Sequence, residues 1–207
     1  MTDLVNLLPN VNVSRETEAL LREFAALILK WTQKINLISA ASEDEIWQRH
    51  ILDSVQVYTA LPQDFQWKTW ADFGSGGGLP GIIIAVLARE TGGQVVMVES
   101  DQRKATFLRT AVRSLGLTNA RVESKRIEAL PALSADVISA RALAALDMLC
   151  AFAAPHLQTG GICLFPKGRR AGAEIQQARS LWTFDLTEIP SQSGDGTILR
   201  LEGLRHV

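Results

Sequence analysis

Ala71-Asp72-Phe73-Gly74-Ser75-Gly76-Gly77-Gly78-Leu79-Pro80-Gly81 is the strongest local signal in the sequence. Five of the eight residues from Gly74 to Gly81 are glycine, a density that would weaken any helix or strand. The flanks are regular: Thr69 to Phe73 reads as a short apolar strand and Ile82 to Arg89 as a helix. Glycines between a strand and a helix let the chain turn sharply and let a ligand touch the main chain. In open α/β sheets, ligands sit outside the carboxyl ends of the strands, where the strand order reverses. The segment therefore reads as a binding loop, not a connector.

Working outward from it, strands and helices alternate. Downstream come a strand at Gln94 to Glu99, a helix at Asp101 to Leu115 and strands at Ala120 to Glu123 and Asp136 to Ser139. A helix at Leu143 to Ala154, a strand at Ile162 to Phe165 and a helix at Gly172 to Trp182 follow. The chain closes with strands at Phe184 to Ile189 and Thr197 to Leu201, joined by a loop too short for a crossover. This pattern predicts a doubly wound, mostly parallel α/β sheet of seven strands with an antiparallel C-terminal hairpin. Upstream the pattern is helical. Ser14 is a predicted N-cap, and Leu20, Phe24, Leu27, Trp31 and Ile35 recur on one face beside Leu21 and Ile28. A second helix is predicted to start at the capping box Ser42-Glu43-Asp44-Glu45 and to carry Ile46, Trp47, Ile51, Val55 and Tyr58 as its stripe. The expected organisation is a helical cap over 1–67 on a Rossmann-like unit over 68–207, the two forming one compact body.

Composition narrows the classes. The chain has 207 residues, 47% hydrophobic and 21% charged, which excludes wholesale disorder. Its longest apolar runs, such as Ile82 to Ala88, are seven residues, against the roughly twenty of a membrane span. Met1-Thr2-Asp3-Leu4 lacks a basic start and an apolar stretch, so a cytoplasmic protein is expected. The net charge of −1 excludes coating of nucleic acid by bulk charge but permits a local basic patch. Cys150 and Cys163 fit no metal or redox spacing and read as buried small hydrophobes; His50, His156 and His206 are far apart, so no metal is expected.

Two ligands compete for the loop. Gly76-Gly77-Gly78-Leu79-Pro80-Gly81 matches the dinucleotide pattern G-x-G-x-x-G, a weak signal alone. Asp72-Phe73-Gly74-Ser75-Gly76-Gly77-Gly78 matches instead the acidic-x-G-x-G-x-G pattern, the first motif of the Rossmann-like methyltransferases. A carboxylate facing a pyrophosphate would repel it, whereas the ammonium and sulfonium of S-adenosylmethionine would be held by Asp72, directly or through water. Glu99, ending the second strand, suits ribose hydroxyls of either ligand. Ile127 is expected to pack on the adenine ring, with backbone near Glu128 reading its edge. Ser139-Ala140-Arg141-Ala142 follows the fourth strand, at the mouth where substrate meets cofactor.

Absences bear on the substrate. No [DNS]-P-P-[FYW] motif follows the fourth strand, and no Pro-Cys pair offers a nucleophile of the cytosine-C5 type. An acceptor atom with a free lone pair, such as purine N7, needs neither. Methylation there is a displacement governed by positioning, and a carboxylate near the purine would offset the developing charge. This permits N7 without singling it out.

Four blocks in order carry a resemblance. Trp31-Thr32-Gln33-Lys34-Ile35-Asn36-Leu37-Ile38-Ser39, Arg49-His50-Ile51-Leu52-Asp53-Ser54, Asp72 to Gly81 and Ser139-Ala140-Arg141-Ala142 together resemble the bacterial 16S rRNA guanine-N7 methyltransferase (RsmG, glucose-inhibited division protein B) family over about residues 20 to 170. The resemblance implies a Rossmann-like fold and transfer from S-adenosylmethionine to one guanine N7 in the 530 loop of 16S rRNA, with the small ribosomal subunit as partner. It places cofactor contacts on Gly74, Leu79, Ile127, Glu128 and Arg141, to which Asp72, Gly76, Gly78 and Glu99 are added from the loop reading. Thr32 and Gly77 depart from the family's usual asparagine and proline.

His50, Asp53 and Ser54, three and four residues apart, share a helical face. They read either as a buried, hydrogen-bonded His-Asp pair locking the cap to the sheet or as part of the guanine pocket; His50, Asp53 and Arg141 are the candidate catalytic residues. Lys34 and Asn36 are candidates to reach RNA, Asn36 alternatively capping a turn. Basic residues cluster at Arg121, Lys125 and Arg126 and at Lys167, Arg169 and Arg170, and the second cluster is expected to contact RNA phosphates. A monomer is expected. The absence of an evident general base leaves a second reading, a catalytically silent RNA- or ribosome-binding module on the same fold. A nicotinamide-dependent oxidoreductase rests only on the weak dinucleotide match.

Overall fold

A computed structural model describes residues 14–39, 43–192, 194 and 196–207. Helix α1 (Arg15–Thr32) is capped by Ser14, whose hydroxyl accepts from the Thr17 amide, with Glu16 and Glu18 in the first turn. Its stripe buries Leu21, Phe24, Ala25 and Ile28. The expected capping box begins at Ser42, which lies outside the described residues. The second helical stretch differs from the expected single helix. A π-helical turn, Trp47–Leu52, precedes α2, Asp53–Thr59. Such turns shift the faces of a helix at functional sites, and this one carries His50.

The remaining elements are β1 (Thr69–Phe73), α3 (Gly81–Leu87), β2 (Gln94–Val98), α4 (Gln102–Ser114), β3 (Ala120–Glu123) and β4 (Ala135–Ala140). Then come α5 (Leu146–Ala153), β5 (Leu157–Lys167), α6 (Ala171–Ala178), β6 (Trp182–Pro190) and β7 (Thr197–His206). The strands form one seven-stranded sheet in the order β3-β2-β1-β4-β5-β7-β6. β1 pairs in parallel with both β2 and β4, so the strand order reverses beside β1. β7 lies antiparallel to β5 and β6, as expected of the hairpin.

Period-two alternation divides the core. Trp70, Val95 and Met97 join Phe24, Ile51 and Ile82 to Ile84 on one face, under the cap. Ala71, Phe73, Val96 and Val98 join Leu146, Leu149 and Ile175 on the other. The cap and the sheet thus share one core. Cys150 and Cys163 lie in the second cluster, and burial pushes the Cys150 thiol up to about 12, so both behave as small hydrophobes.

Several boundaries differ from those expected: β5 opens at Leu157 instead of Ile162, β7 runs to His206 instead of Leu201, and two further shifts have a tertiary cause. Helix α5 starts at Leu146, not Leu143, because the Leu146 amide is capped by the Glu174 carboxylate of α6. Helix α6 stops at Ala178, and the buried Trp182 opens β6. No helix of the described residues is long and apolar enough to cross a membrane.

Candidate functional site

The chain leaves β1 through conformations that favour glycine. Gly74 and Gly76 have φ of +64° and +51°. The Gly74 and Ser75 amides both donate to the Val98 carbonyl, at 2.9 and 3.1 Å, which folds the loop over the end of β2. Glu99 completes the clasp: one carboxylate oxygen accepts from the Gly76 amide and the other from the Asp101 amide, both at 2.8 Å.

Asp72 holds the same loop from behind. It is fully buried. Its Oδ1 accepts from Ser139 Oγ at 2.7 Å and its Oδ2 from the Gly81 amide at 3.1 Å, while Trp70 Nε1 donates to Ser139 Oγ. Asp72, expected to hold a cationic ligand directly or through water, thus latches β1, β4 and the start of α3 together. Alternation explains it: Asp72 shares the face of Trp70, beneath α3, and not the open strand end. Burial pushes its carboxyl up to about 6, opposed by bonds from Ser139, Ser75 and Gly81 and by the Arg141 charge.

Two cavities meet at the carboxyl ends of β1 and β4. The first, about 290 Å³, is lined by Gly74, Gly76, Glu99, Ile127, Glu128 and Phe152, among others. Lys104 and Leu143, which carried no local signal in the sequence, also line it. The second, about 360 Å³, is lined by Asp53, Gln56, Arg141, Lys167, Pro166 and Ile198, among others. Ala142, at a φ of 54° unusual for a side chain, lines both.

Other expected residues sit elsewhere. Leu79 is buried in the cap-side core, and a Cβ on Gly78 would strike Phe24 and Ile82 at 2.9 and 2.6 Å, so both pack the loop onto the cap. Lys34 and Asn36 are exposed, on the segment whose Leu37 carbonyl lies 3.3 Å from where a Cβ of Gly77 would stand. Arg169 and Arg170 are exposed. Lys167 is not: its side chain is 9% exposed, its ammonium bonds the Ala144 carbonyl at 2.6 Å, and it pairs with Glu174 at 2.8 Å. It ties the Arg141-to-Leu146 loop to α6 instead of facing solvent. Glu174 gave no signal in the sequence, because its partners are all distant in the chain.

Arg141 connects cap and sheet. Its Nη2 donates to His50 Nδ1 at 2.5 Å, so His50 accepts there in its neutral form. Burial, then the charges of Arg141 and Arg49, pull His50 down to about 4. Burial likewise lowers Arg141, against the opposing carboxylates of Asp53 and Asp72. Arg141 Nη1 is buried with no hydrogen-bond partner among the described residues. Ser54 spends its hydroxyl on the His50 carbonyl.

These shifts have opposite consequences for stability. Asp72, raised from 3.8 to about 6, stabilises the fold below pH 4 and loses that contribution, about 3 kcal/mol, as pH rises through 6. His50, lowered from 6.5 to about 4, contributes above pH 6.5 and loses its share as pH falls toward 4. Between pH 4 and 7 the two oppose each other. Urea unfolding across that range should show the unaltered protein losing ground to Asp72→Asn as pH rises and gaining on His50→Gln. Two flat differences would mean neither titration is coupled to folding.

The family model described as rRNA small subunit methyltransferase G, or GidB, matches residues 17–195. The chain belongs to the GidB family. GidB-family relatives named ribosomal RNA small subunit methyltransferase G include one from Cereibacter sphaeroides, 51% identical over 98% of both chains. Another, from Paracoccus denitrificans, is 47% identical over 95% of this chain and 100% of its own. Among solved structures, cofactor-bound Rv0187 from MTB superposes with a TM-score of 0.60 at 13% identity, covering 95% of this chain and 94% of that one. A mutant of MtNAS in complex with S-adenosylmethionine superposes with a TM-score of 0.61 at 16% identity, covering 96% of this chain and 81% of that one. At those identities the likeness concerns the fold, which is the Rossmann-like methyltransferase architecture expected of the GidB sequence.

Proposed function

We propose that this protein transfers a methyl group from S-adenosylmethionine to guanine N7 in the 530 loop of 16S rRNA. Family membership supports small-subunit rRNA methylation. The observation that carries the reading is the pair of cavities that share Ala142 at the reversal of strand order.

The residues of the first cavity fit the cofactor. Glu99 accepts only one amide bond on each oxygen among the described residues, which leaves lone pairs for a ribose diol. Val98, Ile127 and Phe152 offer apolar surface for the base, with Glu128 at its edge. Gly74 and Gly76 keep the main chain open to the remainder. When bound, the cofactor supplies an electrophilic methyl on a sulfonium.

The second cavity takes the acceptor. Guanine N7 has a free lone pair, so no base is required, and the site works by holding N7 in line with the methyl. Arg141 presents N–H donors toward O6, its charge balanced by Asp53 and Asp72. His50 fixes that guanidinium from the cap.

Phosphate contacts fall to the exposed basic residues Arg169 and Arg170, with Lys34 and Asn36 on the cap side. Arg169→Ala with Arg170→Ala should flatten the salt dependence of binding to 16S rRNA. Lys167→Met should leave that slope unchanged and lower stability by about 1–2 kcal/mol, because it removes the bond to the Ala144 carbonyl and leaves Glu174 with the Leu146 amide alone. A Lys167 variant that flattened the slope instead would place this side chain on the RNA.

Calorimetric titration tests the cofactor: S-adenosylhomocysteine should bind and NAD should not. Reverse-transcription mapping of 16S rRNA tests turnover. Deletion of the gene should abolish the N7 methylation; methylation unchanged without the gene would favour a silent RNA-binding module.

A further inference from the structure

The second cavity carries a feature that methyl transfer alone does not require. Its lining includes two carboxylates: Glu174, which pairs with Lys167 and accepts from the Leu146 amide, and Asp53, which bounds a space walled by Pro166 and Ile198 and left open by Gly168 and Gly196. Two apolar walls and two missing side chains suit a flat ring. We infer that Asp53 reads the Watson–Crick edge of the acceptor base, accepting from guanine N1–H and the N2 amine, and so selects guanine over the other bases. This inference rests on the function proposed above and assigns the choice of base to one residue.

The chemistry of the bases supports it. A carboxylate has only acceptors, two oxygens side by side. Guanine is the one base that presents two adjacent N–H donors on that edge. Adenine and cytosine place a ring-nitrogen acceptor there, and uracil flanks its single N–H with carbonyls; each would set a lone pair against Asp53. Leaving buried polar groups unpaired is how a site rejects an analogue. The orientation follows as well. N1 and N2 lie across the purine from N7, so a base held at that edge keeps N7 free. Methylation of N7 places positive charge on the ring and makes N1–H a stronger donor, so the bond to Asp53 strengthens as the methyl arrives. Asp53 stands at the start of α2, directly after the π-helical turn, and Gln56 one turn on accepts from the Gln192 amide at 3.1 Å. That bond sets α2 against the hairpin loop that closes the far wall, so the carboxylate is carried on a braced helix.

The test uses small subunits rebuilt with 16S rRNA that carries guanine, inosine or adenine at the mapped acceptor position. Inosine retains N7, O6 and N1–H and lacks only the N2 amine. The unaltered protein should use inosine about 10- to 100-fold less efficiently in kcat/KM than guanine, the range for one hydrogen bond to a charged group, and adenine not measurably. Asp53→Asn should lose at least about 100-fold on guanine, and its guanine-to-inosine ratio should shrink to within about threefold. If Asp53→Asn turns over neither, filter retention of the two subunits reads the same ratio as affinity. Equal use of guanine and inosine by the unaltered protein, or an undiminished ratio in Asp53→Asn, overturns the assignment. Absence of methyl transfer to guanine by the unaltered protein overturns the proposed function itself.

Discussion

Arg141→Lys should lower methyl transfer to small subunits by at least about 100-fold in kcat/KM while S-adenosylhomocysteine binds within about threefold of normal. The substitution keeps a positive charge between Asp53 and Asp72, the two carboxylates that oppose the lowering of Arg141 by burial. What it removes is the planar fork, which sends one nitrogen to His50 Nδ1 and leaves Nη1 without a partner among the described residues. An ammonium cannot hold His50 and donate to the base at the same fixed angle. The split between catalysis and cofactor affinity is the informative part. The family resemblance put Arg141 among the cofactor contacts, yet its side chain lines the second cavity. Cofactor affinity falling in step with turnover would return Arg141 to the first.

Gly74→Val should weaken S-adenosylhomocysteine binding by more than about tenfold and abolish detectable transfer. A residue at φ +64° costs an L side chain about 1–2 kcal/mol, and a β-branched one more. Space is the second cost: a Cβ there stands 2.7 Å from Leu143 Cδ1, and Leu143 lines the same cavity. Leu143 can move, but only by rearranging the mouth between the two cavities. Gly116→Val separates the costs, because Gly116 has φ +61° and nothing within 4 Å of its would-be Cβ. Both variants should melt lower, and only Gly74→Val should lose cofactor affinity. Equal affinities in the two would mean the glycine loop does not bound the ligand.

The parts of the site that were legible in the sequence are those built from neighbours in the chain. The glycine loop, Glu99 at a strand end and Ile127 after the third strand line the first cavity together, because they follow the carboxyl ends of β1, β2 and β3, three neighbouring strands on one side of the reversal. Asp72 shows a reading that local pattern supported and did not finish. Its proximity to the loop was visible, but the alternation of Trp70, Ala71, Asp72 and Phe73 turns it under α3. The partners of Lys167 were hidden for another reason. A lysine beside two arginines resembles a solvated patch until Glu174 and the Ala144 carbonyl, both distant in sequence, are brought to it. The π-helical turn at Trp47–Leu52 left no trace in the periodicity either, since a single wide turn changes which residues share a face without changing which are apolar.

In the proposed function, a methyl held at the end of β1 passes to a guanine in the neighbouring cavity. This transfer is tested most directly by incubating the protein and methyl-labelled S-adenosylmethionine with small subunits from a strain lacking the gene, then mapping the labelled nucleotide. One labelled product is expected, N7-methylguanine in the 530 loop of 16S rRNA. Label on another atom or another base, or none above the level without protein, would contradict it.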